Sequence, residues 1–416
     1  KEVIMKFGSF DDKNKEYIIH TPYTPYPWIN YLGSEDYFVL FSNTAGGYSF
    51  YKDPRERRIT RYRYNNVPVD HEGKYFFIKE NESVWNIGVK PTKTEVDHYE
   101  ARVGLGYTKI TSIKNQLKAS QLAFVPLGYK GEIHYITLEN QSNEVKKLSL
   151  YSYVEFALWD ALDDMTNFQR NYSLGEVLVD HQTIYHLTEY RERRNHYAFV
   201  HVNHPIDSFD TDRDAFIGMY EDISKPKGVY KESLSNSLAD GWQPIAATEI
   251  KLELLPHQTK TFIYTIGYVE NNTLEKYLND GRVNTLKAIN MINEMNTDQK
   301  VAHHFESLKS HWTEKLSKFH ITSNDEKLDR MVNIWNQYQT ATTFNLSRSA
   351  SYFESGVGRG MGFRDSNQDL LGFVHMDQKN TRQRILDLAS TLLLDGGAFH
   401  QYSPLTKKGN TNLGTG

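Results

Sequence analysis

The 416 residues contain no cysteine. That excludes disulfides, thiolate nucleophiles and cysteine-ligated zinc. Excess charge is also lacking: 48 Lys plus Arg stand against 52 Asp plus Glu, a formal net charge of −4. Nonspecific binding to a phosphate backbone needs a strongly basic footprint, so no nucleic-acid partner is expected. No apolar run approaches the roughly 18 residues that would span a bilayer, so no membrane partner is expected either. The opening stretch KEVIMKFGSFDDKNKEYIIH lacks the apolar centre of a secretion signal, and Met5 could be a natural start. With no signal and no cysteine, the cytoplasm is the expected location. No strand–helix alternation of the βαβ type occurs, which argues against a doubly wound sheet.

Aromatic side chains are plentiful: 28 Tyr, 21 Phe and 6 Trp. Most belong in a core or on a sheet, but as a set they suit a ring-bearing ligand such as a carbohydrate. Charged residues (24%) and hydrophobic ones (39%) stand in globular proportion. At roughly 150 residues per domain, the length suggests two or three domains.

Residues 1–272 read as strands. Ile250, Leu252 and Leu254 alternate with charged residues, Leu255-Pro256-His257-Gln258 breaks the run, and Phe262, Tyr264 and Ile266 resume it. Ile133, Tyr135 and Thr137 oppose His134, Ile136 and Leu138. Tyr197, Phe199 and His201 alternate with Ala198, Val200 and Val202, so both faces of that strand can be covered. Such period-2 runs between Gly, Asn and Asp breaks predict a large antiparallel β-sandwich.

Beyond residue 273 the period becomes helical. Val301, Phe305, Leu308, Trp312, Leu316 and Phe319 fall on one helix face, with Thr297 and Asp298 placed to cap it. Ser323-Asn324-Asp325-Glu326 is a capping-box pattern that opens a second helix through Leu328, Met331, Trp335 and Tyr338. A third runs through Ile385, Leu388, Ala389 and Leu392 and stops at Gly396-Gly397. The division read from these periods is a sandwich at 1–272, a helical linker at 273–320, and a further helical region at 321–416.

The densest polar stretch is 345–377, NLSRSASYFESGVGRGMGFRDSNQDLLGFVHMD. Arg348, Arg359, Arg364, Asp365, Gln368 and Asp369 lie in it, with glycine at 356, 358, 360 and 362. Glycine at every second position suits a loop that approaches a ligand closely. Arg donates and carboxylate accepts, a pairing that grips sugar hydroxyls, and Arg also forks onto phosphate. The alternative is a salt-bridged loop tying helices together. The Gly-rich run lacks the Gly-Lys-Ser/Thr of a nucleotide loop. A second polar cluster, DDMTNFQRNY at 163–172, could reach a neighbouring site or be an ordinary rim loop. The run Arg55 to Tyr64 carries five arginines among tyrosines and reads as one strand with a charged face. His303-His304 reads as structural, and no metal motif stands out.

The segments TPYPWINYLG (within 22–34), SNTAGGYSFYKDPRERRITRYRYNNVP, NFQRNY and RSASYFESGVGRGMGFRDSNQDLLGF resemble the inverting disaccharide phosphorylases of glycoside hydrolase family 94. The resemblance runs from about residue 5 to the end. It is nearest to members acting on cellobiose, with laminaribiose-splitting members close by. It implies a β-sandwich, a helical linker and the first part of an (α/α)6 barrel, in a homodimer whose sandwich helps build the partner's site. It implies that cellobiose and phosphate give α-glucose 1-phosphate and glucose, reversibly, with phosphate as co-substrate and no cofactor. Residue by residue, Arg348 resembles a phosphate ligand, and Arg359 and Asp365 resemble ligands of the glucosyl ring. Arg364, Gln368 and Asp369 adjoin them. Gln169 and Arg170 resemble the loop that reaches the leaving-sugar subsite of the partner. The family's general acid, an Asp in an Asp-Trp-Asn-Asp-like segment, has no counterpart in 1–416. The expectation is therefore half an active site, with residues 1–416 alone inactive; the alternative is a noncatalytic carbohydrate-binding protein.

Overall fold

The alternation at 250–266 becomes two long strands, Pro244–Leu254 and Thr259–Glu270. In the first, Ile250, Leu252 and Leu254 are buried while Lys251 and Glu253 are exposed. The structure, a computed structural model, describes residues 6–33, 35–62, 73–165, 175–188, 195–239, 241, 243–346, 350 and 360–409. The Leu255–Gln258 break closes on a hydrogen bond from the Gln258 amide to the Leu255 carbonyl at 3.0 Å. It does not make a hairpin, because the two strands enter different sheets.

Among the described residues, one antiparallel sheet has ten strands. Its order runs Gly8–Asp11, Glu16–Ile19, His98–Gly104, Tyr107–Lys114, Leu117–Phe124, Gly131–Asn140, Thr259–Glu270, His196–Val202, Thr183–Thr188, Gly175–Asp180. The other sheet has nine and centres on Lys146–Trp159, which pairs with Pro244–Leu254, Lys74–Glu80 and Arg58–Thr60. Ser49–Tyr51, Tyr37–Ser42 and Ile29–Leu32 continue it to one edge. A single large apolar core fills the space between the sheets, with Ile136, Leu138, Ala198, Val200 and Ile266 from one and Ile78, Leu150 and Ile250 from the other. Tyr197 and Phe199 point the opposite way, onto Ala288 and Ile292 of the helix Leu286–Met295. Both faces of that strand are thus covered, as its composition predicts.

The helix Asp298–Ser317 starts where expected, with the Thr297 hydroxyl accepting from the Lys300 amide. It lays Val301, Leu308, Trp312 and Leu316 on Leu105, Tyr107, Phe124 and Ile133 of the ten-stranded sheet. Phe319 lies past the helix end and is exposed, so it does not extend that face. The next helix differs from the capping-box reading. Asp325, not Ser323, is the cap and accepts from the Lys327 and Leu328 amides. The segment then runs Glu326–Arg330, a π-turn at Met331–Trp335, and Asn336–Leu346. An inserted residue of this kind shifts the apolar period and hides the join from a 3.6-residue reading. The last helix, Gln378–Ala389, ends before Gly396, which forms a tight turn at φ +89°.

The arginine run is not one strand with a charged face: among the described residues the strand is Arg58–Thr60, and Arg58 and Arg61 are buried. Part of the glycine-rich stretch is not loop: Phe363–Phe373 is a helix. No helix among the described residues is long and apolar enough to cross a membrane.

Candidate functional site

Arg364, Asp365, Gln368 and Asp369 share the helix Phe363–Phe373. Arg364 and Gln368 are one turn apart and exposed; Asp365 and Asp369 are one turn apart and half-buried. Asp365 sits in the first helical turn, where a carboxylate suits the positive end of the helix dipole. Arg364 Nη2 donates to Asp365 Oδ1 at 3.1 Å while its side chain stays 83% exposed. Below them Ser366, Leu370 and Phe373 are buried. Phe373 stacks on Phe344 at 3.9 Å and 14°, which fixes this helix on Asn336–Leu346.

The entry to the helix is held by a short pairing of Met361–Gly362 with Gln401–Tyr402. Gln401 Oε1 also accepts from the Gly360 amide at 3.1 Å. A Cβ on Gly360 would lie 2.5 Å from the Tyr402 carbonyl oxygen, so the glycine is needed for this close approach.

On the other flank, Leu346 and Ala350 pack with Phe38, Leu40, Tyr48, Phe50 and Tyr62 on the outer face of the nine-stranded sheet. The Tyr48 hydroxyl donates to the Ala350 carbonyl at 2.9 Å. Burial raises the Tyr48 phenol above its ordinary value, so it stays protonated and remains a donor. Between the two flanks lies a cavity of about 170 Å³ lined by Lys52, Asn345, Met361, Arg384 and Lys407 among others. Its cations are engaged: Lys52 with Asp36 at 3.6 Å, Lys407 with Asp387 at 2.7 Å, and Arg384 with the Phe344 carbonyl at 2.9 Å. Larger cavities of about 600 and 540 Å³ lie near Arg330 and Lys251 and contain none of the sequence-predicted residues.

Arg348, Arg359, Gln169 and Arg170 lie outside the described residues. The described residues therefore bring together four of the eight predicted positions, all on one helix. Tyr48, Ala350 and Gln401 were not anticipated. Tyr48 and Ala350 are 302 residues apart, and no local pattern announces such a contact. Among the described residues, no group of three or more His, Asp or Glu side chains could hold a metal ion.

Residues 15–282 match the family described as Glycosyl hydrolase 94, supersandwich domain. The chain belongs to glycoside hydrolase family 94. Residues 311–415 match the Glycosyl hydrolase 94 superfamily, catalytic domain, a range that holds the whole glycine- and arginine-rich stretch. The chain is 32% identical over 411 residues to an N,N'-diacetylchitobiose phosphorylase of Vibrio proteolyticus, covering 96% of this chain and 49% of that protein. It is 24% identical over 388 residues to a 3-O-beta-D-glucopyranosyl-beta-D-glucuronide phosphorylase of Paenibacillus borealis, covering 92% and 46%. The chain thus spans about half the length of these curated relatives. Among solved structures, a bacterial glucoamylase complexed with acarbose superposes with a TM-score of 0.54 at 11% identity, over 95% of this chain and 56% of that one. That likeness concerns the fold alone.

Proposed function

We propose that the whole protein catalyses inverting phosphorolysis of a β-linked disaccharide, giving an α-sugar 1-phosphate and a free sugar. The carrying observation is the match of residues 311–415 to the family's catalytic domain. In an inverting hydrolase one carboxylic acid protonates the leaving oxygen and a second carboxylate activates water. Phosphate is already nucleophilic, so a cationic cradle replaces the second carboxylate. Arg348 is assigned to phosphate, through charge-assisted hydrogen bonds. Arg359 and Asp365 are assigned to the sugar whose C1 is attacked, with Arg364, Gln368 and Asp369 beside them. Gln169 and Arg170 are assigned to the leaving-sugar subsite of a partner in a homodimer. The general acid is an Asp outside residues 1–416, so the 1–416 segment alone is inactive. The chain divides at 1–272, 273–320 and 321–416 into sandwich, linker and the first part of the barrel. The resemblance favours cellobiose, whereas the 32% identical relative is named for N,N'-diacetylchitobiose, so both belong in the assay.

The test is the anomeric form of the product, read by NMR from each disaccharide with phosphate present. An α-sugar 1-phosphate from a β-linked substrate supports direct attack by phosphate. A β-sugar 1-phosphate, or free sugars alone, contradicts it.

A further inference from the structure

We propose that Gln401 is a positioning residue for Asp365, the carboxylate assigned above to the sugar whose C1 is attacked; the inference rests on that assignment. Gln401 is buried. It grips the chain ahead of the helix Phe363–Phe373 in two ways. Its backbone pairs opposite Gly362, and its side-chain Oε1 accepts from the Gly360 amide at 3.1 Å. The preceding carbonyl, that of His400, accepts from the Phe363 amide at 3.0 Å. Residues 360, 362 and 363 are therefore all tied to the segment 400–402. Gly362 is the cap residue of the helix and has no side chain of its own with which to fix the first turn. The Asp365 carboxylate lies directly over it: a Cβ on Gly362 would stand 2.7 Å from Asp365 Oδ2. A shift of the 360–363 backbone therefore carries the carboxylate with it. The Asp365 side chain is 18% exposed, so a ligand can reach it.

The segment that carries Gln401 is itself held from the sandwich. The Ser403 hydroxyl lies 3.4 Å from both Asp53 Oδ2 and Glu56 Oε2, and Tyr402 is buried. Contacts thus run from the sandwich through 400–403 and 360–363 to Asp365. The geometry supplies its own control. Gln337 is also buried and also ties down backbone, its Nε2 donating to the Phe319 carbonyl at 3.0 Å. It sits at the other end of the helix Phe363–Phe373, 3.3 Å from His375 Nε2. A Gln→Met change at either position keeps the length of the side chain and removes its hydrogen bonds.

The experiment measures phosphorolysis by the whole protein with Q401M, Q337M and D365A, alongside thermal melting, on cellobiose or N,N'-diacetylchitobiose, whichever is cleaved. Q401M should lower kcat/KM for the disaccharide about tenfold and leave KM for phosphate within about twofold. Q337M should lower the melting temperature comparably and leave kcat/KM for the disaccharide alone. D365A should lower kcat/KM for the disaccharide at least about a hundredfold. Q401N withdraws the acceptor from Gly360 but stays polar, and it carries the same test should Q401M not fold. If both Gln401 variants keep the wild-type kcat/KM while D365A loses it, the positioning role is wrong and the assignment of Asp365 stands. If Q337M lowers kcat/KM as much as Q401M does, Gln401 is merely structural. If D365A leaves kcat/KM unchanged, the assignment and the inference fall together.

Discussion

Arg61 and Asp164, 103 residues apart, close a two-pronged ion pair inside the sandwich, Nε to Oδ2 at 2.9 Å and Nη2 to Oδ1 at 3.1 Å. Arg61 also pairs with Glu155, which accepts from the Tyr153 hydroxyl at 3.0 Å and lies 3.5 Å from Arg213 Nε. Burial opposes the charge on Arg61, but Asp164 and Glu155 more than offset it and hold the guanidinium charged. Breaking one side of a buried pair costs up to about 3–5 kcal/mol, and Glu155 would still offset part of the Arg61 charge. D164N should therefore lose stability in urea unfolding, towards the lower end of that scale. The double change R61M/D164L also takes the guanidinium from buried Glu155, so recovery of most of the loss should need the triple change R61M/D164L/E155Q.

A second buried charge cluster joins the two sheets. Glu132 accepts from Ser49, from Tyr37 at 3.2 Å and from His134 Nε2 at 3.0 Å, and Lys74 Nζ lies 3.7 Å away. The last distance allows charge pairing but is too long for a hydrogen bond. Glu132 is buried, but Lys74 and His134 pull its carboxyl down to about 2. Burial lowers Lys74 to about 8 despite Glu132. Between pH 8 and 10.5 the unfolded chain holds the Lys74 proton more tightly than the folded one. Stability therefore rises with pH across that window. Glu132 contributes fully above its ordinary 4.5, and its contribution is lost as the pH falls towards 2. In urea unfolding, K74M should abolish the rise between pH 8 and 10.5. E132Q should cost about 3 kcal/mol at pH 7, because it strands the Lys74 ammonium.

His186 is buried between the sheets, stacked on Phe156 at 5.0 Å, and neither ring nitrogen has a hydrogen-bond partner among the described residues. Burial lowers it to about 3, so it is neutral in the folded protein at neutral pH. Below its ordinary 6.5 the unfolded chain takes up the proton first, and stability falls as the pH falls from 6.5 towards 3. H186F keeps the stacked ring and removes two unpaired nitrogens. It should melt no lower than wild type at pH 7 and lose less stability between pH 6.5 and 4.

Gly106 joins the sandwich to the helix Asp298–Ser317. Its φ is +79°, and a Cβ there would lie 2.8 Å from Trp312 Nε1. G106A therefore carries both backbone strain and a clash, worth about 1–3 kcal/mol. The expected result is a lower melting temperature together with a changed Trp312 environment in near-ultraviolet circular dichroism.

The sandwich was legible because its signal is local. Ile250, Leu252 and Leu254 alternate, and Tyr197 and Phe199 mark a strand covered on both faces. Thr297 announced its helix for the same reason. Sheet membership was not legible: Pro244–Leu254 and Thr259–Glu270 adjoin in sequence but lie in opposite sheets, and only the fold decides that. Arg58 and Arg61 misled because a charged side chain reads as exposed until its buried partners are known. The helix at Phe363 was hidden by glycines that belong to its approach. Of the candidate site, residue types and order were readable. The anchors Tyr48 and Gln401 were not, since each acts through a contact distant in sequence.

The most direct measurement is sugar 1-phosphate release by the whole protein from cellobiose, laminaribiose and N,N'-diacetylchitobiose, each with and without inorganic phosphate. The account predicts release from at least one of these sugars that depends strictly on phosphate. Cleavage that proceeds equally without phosphate, or binding of these sugars with no cleavage of any, would contradict it.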